Sequence, residues 1–327
     1  MKDINVVHLS TTPLVGAPGK VSKYLSLEGC NSIHFFIKDY PEPLKNFFNS
    51  NSCLLNLKNV NINKFFSDAI RSADIIHIHN NIPIDLCYKI LETNNRCKYV
   101  YQVHSPLREP PLFSNFESNL PFKFDAKLCV AHIHPRLYDD YIMVPNLIDH
   151  PGVLRKRDES KIRIIFSPSH NRCQKEYIFS TKLSPNIQGN LEFLERKYSS
   201  EIEVINMETK IEPQVLLKIR EGCDITVDEI VTGGFHQVSC EGLSCGNIVL
   251  NNADFFAKKS FSDAIRADAL PPFLRVNDQN FLEIVLNLTK DRSLLNKYRQ
   301  SSYDFYHKFM LPQRLIHCFT RIYEEIL

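Results

Sequence analysis

The sequence has no excess of charge of either sign: 39 basic residues stand against 37 acidic ones over 327 positions, a formal net of +2. A protein that lives on neutralising nucleic-acid phosphates needs a clear basic surplus, so no nucleic-acid partner is expected. Nor is there an apolar run approaching the ~20 residues that cross a bilayer. The start, MKDINVVHLS, has no apolar stretch of signal length, so a cytoplasmic chain is expected, at most peripheral on the inner face of the membrane. The ten cysteines include no C-x-x-C pair, and most sit in strand-like or helix-like runs, as Cys129, Cys223 and Cys240 do. They read as small buried hydrophobes in a reducing compartment. The dinucleotide fingerprint G-x-G-x-x-G is missing. Gly16-Ala-Pro-Gly19-Lys20 fails as a P-loop, because two residues rather than four separate its glycines and Val21 follows the lysine. No Asp-x-Asp occurs anywhere, no internal repeat is visible, and metal ligation is not expected.

What is present is an ordinary globular composition, 43% apolar and 23% charged, in a chain long enough for about two domains of ~150 residues. Short β-type runs alternate with helical patterns from the N-terminus on. Strands are expected at 4–9, 33–37, 74–79, 99–103, 127–131 and 141–144, with His79, His104 and Asn146 at strand ends. The segment from Pro145 to Gly152 and the charged stretch after it read as a linker. A second series then begins at Ile162. This predicts an α/β protein of two Rossmann-like domains, residues 1–150 and 151–311, facing each other across a cleft. A C-terminal helix, 312–327, is expected to pack back toward the first domain.

The second series centres on residues 223–251. Ile225 and Val227 stand in a strand, Gly233 and Gly234 break it, a helix carries Glu241, Gly246 stops that helix, and Ile248 to Leu250 form the next strand. Such a turn aims backbone N–H groups and the positive end of a helix at one spot, where a diphosphate can sit. Glu241 falls on the inward face with Val238 and Cys245, where a carboxylate needs a partner. That partner is either a ligand or a neighbouring arginine. His77 and His79 share a strand face and can be read as a metal pair. No carboxylate or further histidine is tied to them in sequence, so hydrogen-bonded packing is the expectation. His132 and His134 read the same way.

Taken in order, the Gly16 loop, His77-Ile-His79, His104-Ser-Pro, Asn146-Leu-Ile-Asp149, Ser167-Pro-Ser-His170-Asn-Arg172-Cys-Gln-Lys175 and Gly234-Phe235-His-Gln-Val-Ser-Cys-Glu241 resemble the motifs of the retaining glycosyltransferases of family 4, which have the GT-B fold. The resemblance covers nearly the whole chain. It implies transfer of a sugar from a nucleotide-diphosphate donor, a co-substrate rather than a cofactor, to an acceptor hydroxyl with retention. The implied setting is bacterial cell-surface polysaccharide or lipopolysaccharide assembly, with a glycan or lipid-linked acceptor.

By the same resemblance Glu241 binds the ribose hydroxyls and Lys175 the diphosphate. His104 reaches the donor sugar, and Gly16 and Gly19 form the loop that approaches diphosphate and acceptor. Gly233, Gly234 and Phe235 belong to the donor-binding turn, and Asn146 and Asp149 to a structural signature. The chain departs from the pattern at two places. Gly233 replaces the usual first glutamate, and His170 falls where a basic residue is usual, with Arg172 as a substitute. These departures keep two alternatives in view, a nucleotide-sugar epimerase or hydrolase of the same fold and a catalytically silent binding partner. The segment Leu107 to Lys127, with Phe113, Phe116, Phe122 and Phe124 among cations and prolines, is either a membrane-facing rim or a lid on the N-terminal core.

Overall fold

The computed structural model describes residues 3–38, 51–104, 116–132, 136–156, 161–168, 184, 186–207 and 211–327. The chain divides into two compact units. The first is Met1–Asp149 together with Pro312–Leu327, and the second is His150–Leu311.

The first unit is built on a seven-stranded, all-parallel sheet. Its strands are β1 (Asn5–Ser10), β2 (Asn31–Phe36), β3 (Ser52–Leu54), β4 (Ile75–His79), β5 (Lys98–Val103), β6 (Ala126–Val130) and β7 (Ile142–Val144), in the order β3-β2-β1-β4-β5-β6-β7. Strands β1, β4, β5 and β6 are buried along nearly their whole length, as expected where helices cover both faces. Helices α1 (Ala17–Leu27), α2 (Val60–Ser72) and α3 (Ile84–Thr93) cross between strands. The Asn59 side chain caps α2 by accepting the N–H groups of Asn61 and Ile62. One core joins Val7, Leu9, Ile76 and Ile78 to Phe66, Ile70, Leu86 and Ile90 of α2 and α3. The strand order reverses between β1 and β4, so the crevice of this unit lies at the carboxyl ends of those two strands.

The second unit repeats the plan with five parallel strands in the order β12-β11-β10-β8-β9. These are β8 (Ile162–Phe166), β9 (Ile202–Asn206), β10 (Ile225–Val227), β11 (Ile248–Asn251) and β12 (Leu274–Arg275). Its helices are α4 (Ile187–Lys197), α5 (Pro213–Glu221), α6 (Gln237–Ser244), α7 (Phe255–Ala264), α8 (Phe281–Lys290) and α9 (Arg292–Phe305). Here the order reverses between β8 and β10. After α9 the chain makes a π-helical turn, Tyr306–Met310, and Leu311 is extended ahead of Pro312. That break is what a proline imposes on the residue before it. Helices α10 (Pro312–Leu315) and α11 (His317–Ile326) then pack within the first unit, where Tyr323 donates or accepts a 2.6 Å hydrogen bond with His77 Nδ1. None of the helices among the described residues is long and apolar enough to cross a membrane.

Two features differ from the sequence reading. Strand β3, only three residues long, is too short to leave a pattern. Gly19 is not in the loop after β1 but buried inside the first turn of α1, behind Pro18. The loop itself is tight and left-handed: Leu14, Val15 and Gly16 have φ of 50°, 54° and 76°. For the β-branched Val15 that conformation is strained, a condition that clusters at ligand-binding turns.

Candidate functional site

In the second unit a small crevice opens where the strand order reverses. It is lined by Phe166 at the end of β8 with Ser167 and Pro168 after it, by Val227 at the end of β10 with Asp228 and Glu229 after it, and by Val238 of α6. The turn from β10 to α6 is held by these two acids. Asp228 Oδ2 accepts the His236 N–H at 2.7 Å and the Ser239 hydroxyl at 2.7 Å, and Ser239 Oγ accepts from Asn251 Nδ2 at 2.9 Å. Glu229 accepts the Thr232 N–H, at 2.9 and 3.0 Å, and its hydroxyl. A carboxylate therefore already satisfies one N–H at the start of α6, which narrows the expectation that this helix end is open to a phosphate. Gly233 has φ of 78°, a left-handed turn that suits glycine. Phe235 is fully buried against Phe261 and Phe273, with ring centroids 5.2 and 5.0 Å away, so it anchors the turn to the core and only its backbone could meet a ligand.

Glu241 lies one turn into α6 and is 9% exposed. Its Oε1 accepts from Gln237 Nε2 at 2.8 Å, and its Oε2 is 3.5 Å from Arg220 Nη2. The arginine expected as one alternative partner is thus present. Arg220 is fully buried, and its Nη2 also donates to Ser167 Oγ at 2.9 Å, which ties Glu241 to the lining of the crevice. Its Nε and Nη1 have no hydrogen-bond partner among the described residues. The sequence reading missed Arg220 because a basic residue in the last turn of α5 looks like an ordinary cation at a helix C-terminus. Two glycines serve the packing of α6. A Cβ on Gly242 would lie 2.8 Å from Val249 Cγ2 and 3.1 Å from Thr226 Cβ, and Gly246, at φ of 62°, ends the helix. Lys175, His170 and Arg172 lie outside the described residues, as do Phe113 and His134.

In the first unit the crevice end of the sheet is rich in histidine. The register sets His34, His8 and His77 side by side on β2, β1 and β4, and Ser10 beside His79 one row further. His77 and His79 are stacked, 4.1 Å between ring centroids. His8 Nδ1 is 2.9 Å from His79 Nε2, and His79 Nδ1 is 2.8 Å from His104 Nε2. His104, just past β5, is also held through its backbone N–H, which Asn80 Oδ1 accepts at 2.7 Å. Ser10 donates its hydroxyl to Thr12 O, so His34 Nε2 is the donor in the 2.8 Å contact with Ser10 Oγ. Burial pushes His8 down to about 3 and holds His34, His77 and His79 well below the usual histidine range, with neighbouring histidines adding to the effect. These rings are therefore neutral.

The expectation that nothing further is tied to His77 and His79 is corrected here, since strand pairing brings His8 to them. Ligand-capable atoms of His8, His77 and His79 lie within 4.8 Å of one another. Yet the three are fully buried, His79 is bonded to His8 and His104, His77 is bonded to Tyr323 and only stacked on the others, and no carboxylate is among them. A dication there would be desolvated without a countercharge, which favours the hydrogen-bonded reading. Asp149 accepts from Lys23 at 2.6 Å and from Tyr24 at 2.7 Å, a structural bond to α1. Phe122 is buried, stacked on Tyr99 at 4.6 Å, and Phe124 packs on Tyr101 at 5.3 Å. For these two rings the core lid, not the membrane rim, is what the structure contains.

No family model matches the sequence, and no curated protein matches it. Solved structures do. An α-glucosyltransferase in complex with UDP-glucose and DNA containing an abasic site is 12% identical, with a TM-score of 0.64 over 100% of both chains. A glycosyltransferase from Rickettsia africae is 13% identical, with a TM-score of 0.58 over 99% of this chain and 98% of that one. The sucrose-phosphate synthase of Thermosynechococcus elongatus is 11% identical, with a TM-score of 0.58 over 98% and 99%. At such identities the likeness establishes architecture, and the chain has the α/β, parallel-sheet fold of the GT-B glycosyltransferases.

Proposed function

We propose that the protein is a retaining glycosyltransferase that binds a nucleotide-diphosphate sugar in the second unit and moves the sugar to an acceptor hydroxyl. The observation that carries this reading is the crevice at the β8/β10 reversal, which Arg220 and Ser167 link to Glu241. Ligands of doubly wound sheets bind at that place. UDP or UDP-glucose is bound by α-glucosyltransferases of the same fold. In the reaction the bond from the anomeric carbon to the diphosphate oxygen breaks, and a bond to the acceptor oxygen forms on the same face. The acceptor proton passes to the departing phosphate, and a nucleoside diphosphate leaves.

Charge builds on the diphosphate as that bond breaks, so a lysine such as Lys175 would stabilise the transition state more than the ground state. Glu241 has lone pairs left for ribose hydroxyls beyond those engaged by Gln237 and Arg220. His104 would contact the sugar, with Gly16 at the acceptor side. Metal independence is supported by the lack of an Asp-x-Asp in the sequence. The near balance of charge argues against a nucleic-acid acceptor. The resemblance to the family 4 enzymes points instead to a glycan or lipid-linked one, in cell-surface polysaccharide assembly at the cytoplasmic face of the membrane.

A thermal-shift screen of nucleotide sugars tests donor binding, since a ligand at ~100 times its Kd adds ~2.7 kcal/mol of stability. Turnover then separates the readings. A transferase requires acceptor, an epimerase or hydrolase converts donor alone, and a silent binder, the reading Gly233 motivates, does neither.

A further inference from the structure

A chain of hydrogen-bonded imidazoles runs from the core of the first unit to His104. His8 Nδ1 meets His79 Nε2 at 2.9 Å, and His79 Nδ1 meets His104 Nε2 at 2.8 Å. Each contact holds one proton between two nitrogens, so the chain has two neutral settings that differ only in direction. The buried end chooses between them. His8 Nε2 is fully buried and has no hydrogen-bond partner among the described residues. An orphaned N–H is rarer in protein interiors than an orphaned acceptor, so that nitrogen carries no proton. His8 therefore donates from Nδ1 to His79 Nε2, and His79 donates from Nδ1 to His104 Nε2. With its Nε2 accepting, His104 carries its proton on Nδ1.

We propose that His79, backed by His8, is a positioning residue that fixes His104 as the Nδ1–H tautomer, a hydrogen-bond donor to a hydroxyl of the donor sugar and not a base. This rests on the reading of His104 as a sugar contact. To accept a proton at Nδ1, His104 would first have to reverse the chain, which would leave an N–H on His8 Nε2 in the core with nothing to receive it. Asn80 accepts the backbone N–H of His104, and His79 meets its ring at Nε2. The serine-bound His34 stands outside this chain, and His77 joins it only by stacking, its Nδ1 being taken by Tyr323.

The test uses the full chain labelled with 15N-histidine. Two-bond proton–nitrogen correlations report the tautomer of each ring, and His104→Asn identifies the His104 signals. The wild type is expected to show a single Nδ1–H form at His104. His79→Gln, whose amide still donates, is expected to keep that form, whereas His79→Leu is expected to lose it. An Nε2–H form in the wild type, or an unchanged His104 in His79→Leu, overturns the proposal. So does uptake of one equivalent of Zn2+ by the wild type that is abolished in His8→Phe, which would make the three rings a metal site.

The functional half is read with the nucleotide sugar found by thermal shift. His79→Leu is expected to lower kcat roughly 10-fold with little change in KM, and His79→Gln to restore most of it. Equal kcat in wild type and His79→Leu overturns that half. If the wild type turns over no nucleotide sugar, the glycosyltransferase reading fails, while the tautomer spectra still decide whether His79 sets the state of His104.

Discussion

Glu241 illustrates how one side chain answers to two demands. Its carboxylate faces Arg220, which is fully buried and has two guanidinium nitrogens, Nε and Nη1, without partners among the described residues. Removing the carboxylate therefore leaves a desolvated guanidinium and, on the proposed reading, an empty ribose contact. Glu241→Ala is expected to lose ~1–3 kcal/mol of stability in addition to any loss of nucleotide binding. Glu241→Gln keeps the shape and one acceptor and is expected to fold normally while binding the nucleoside diphosphate roughly 10-fold more weakly, since charge-assisted bonds to hydroxyls are the stronger kind. Calorimetric titration of both variants checks this. Unchanged affinity in a folded Glu241→Gln protein would make the residue a structural partner of Arg220 and nothing more.

The unit formed by β10, α6 and β11 depends on close approach of a helix to its sheet. Gly242 has no room for a methyl group, with Val249 and Thr226 within 3.1 Å of where it would stand. Gly242→Ala is expected to cost ~1–3 kcal/mol by overpacking, read as a lower denaturation midpoint with an unchanged slope. Nucleotide affinity should fall with it, because α6 carries Glu241 and its start is tied to Asp228. The connection into the second unit is held with similar care. Buried Glu221 accepts from Lys218 at 2.9 Å and His150 at 3.2 Å and is paired with Arg155, and a Cβ on Gly152 would run into the His307 ring.

At the scale of the whole molecule the buried histidines predict an acid-labile protein. In the unfolded chain each titrates near 6.5, whereas burial depresses His8 to about 3 and His34, His77 and His79 well below the ordinary value. The unfolded state thus binds more protons below pH 6.5, so stability is full above that pH and falls as pH drops toward the folded values. The loss is ~1.4 kcal/mol per pH unit for each such group. Melts at pH 7.5 and 5.5 should show a marked fall in Tm before carboxylates begin to titrate. A flat Tm across that window would mean the rings are hydrated in solution. A chelator is expected to leave both stability and turnover unchanged, and loss of turnover restored by magnesium or manganese would contradict the proposed metal-independent reaction.

Much of this was legible in the amino-acid order, because apolar runs in buried parallel strands and the glycine and proline stops between them are local properties. The strands holding Val7, Ile76, Val100, Ile164 and Val249 and the β10–α6–β11 unit follow from them, as does the two-unit α/β plan. Strand β3 and the inclusion of Gly19 in α1 did not, since a three-residue edge strand and a helix start behind Pro18 carry too little pattern. What only the tertiary structure decided is who meets whom. His8 lies 69 positions before His77 in the chain, yet parallel pairing of β1 with β4 makes them register partners, and no periodicity encodes that. Arg220 reaches Glu241 only because β10 and α6 fold back beside the end of α5. Strand order places chemistry at the carboxyl ends of neighbouring strands, and that order is a property of long-range pairing rather than of any stretch of sequence.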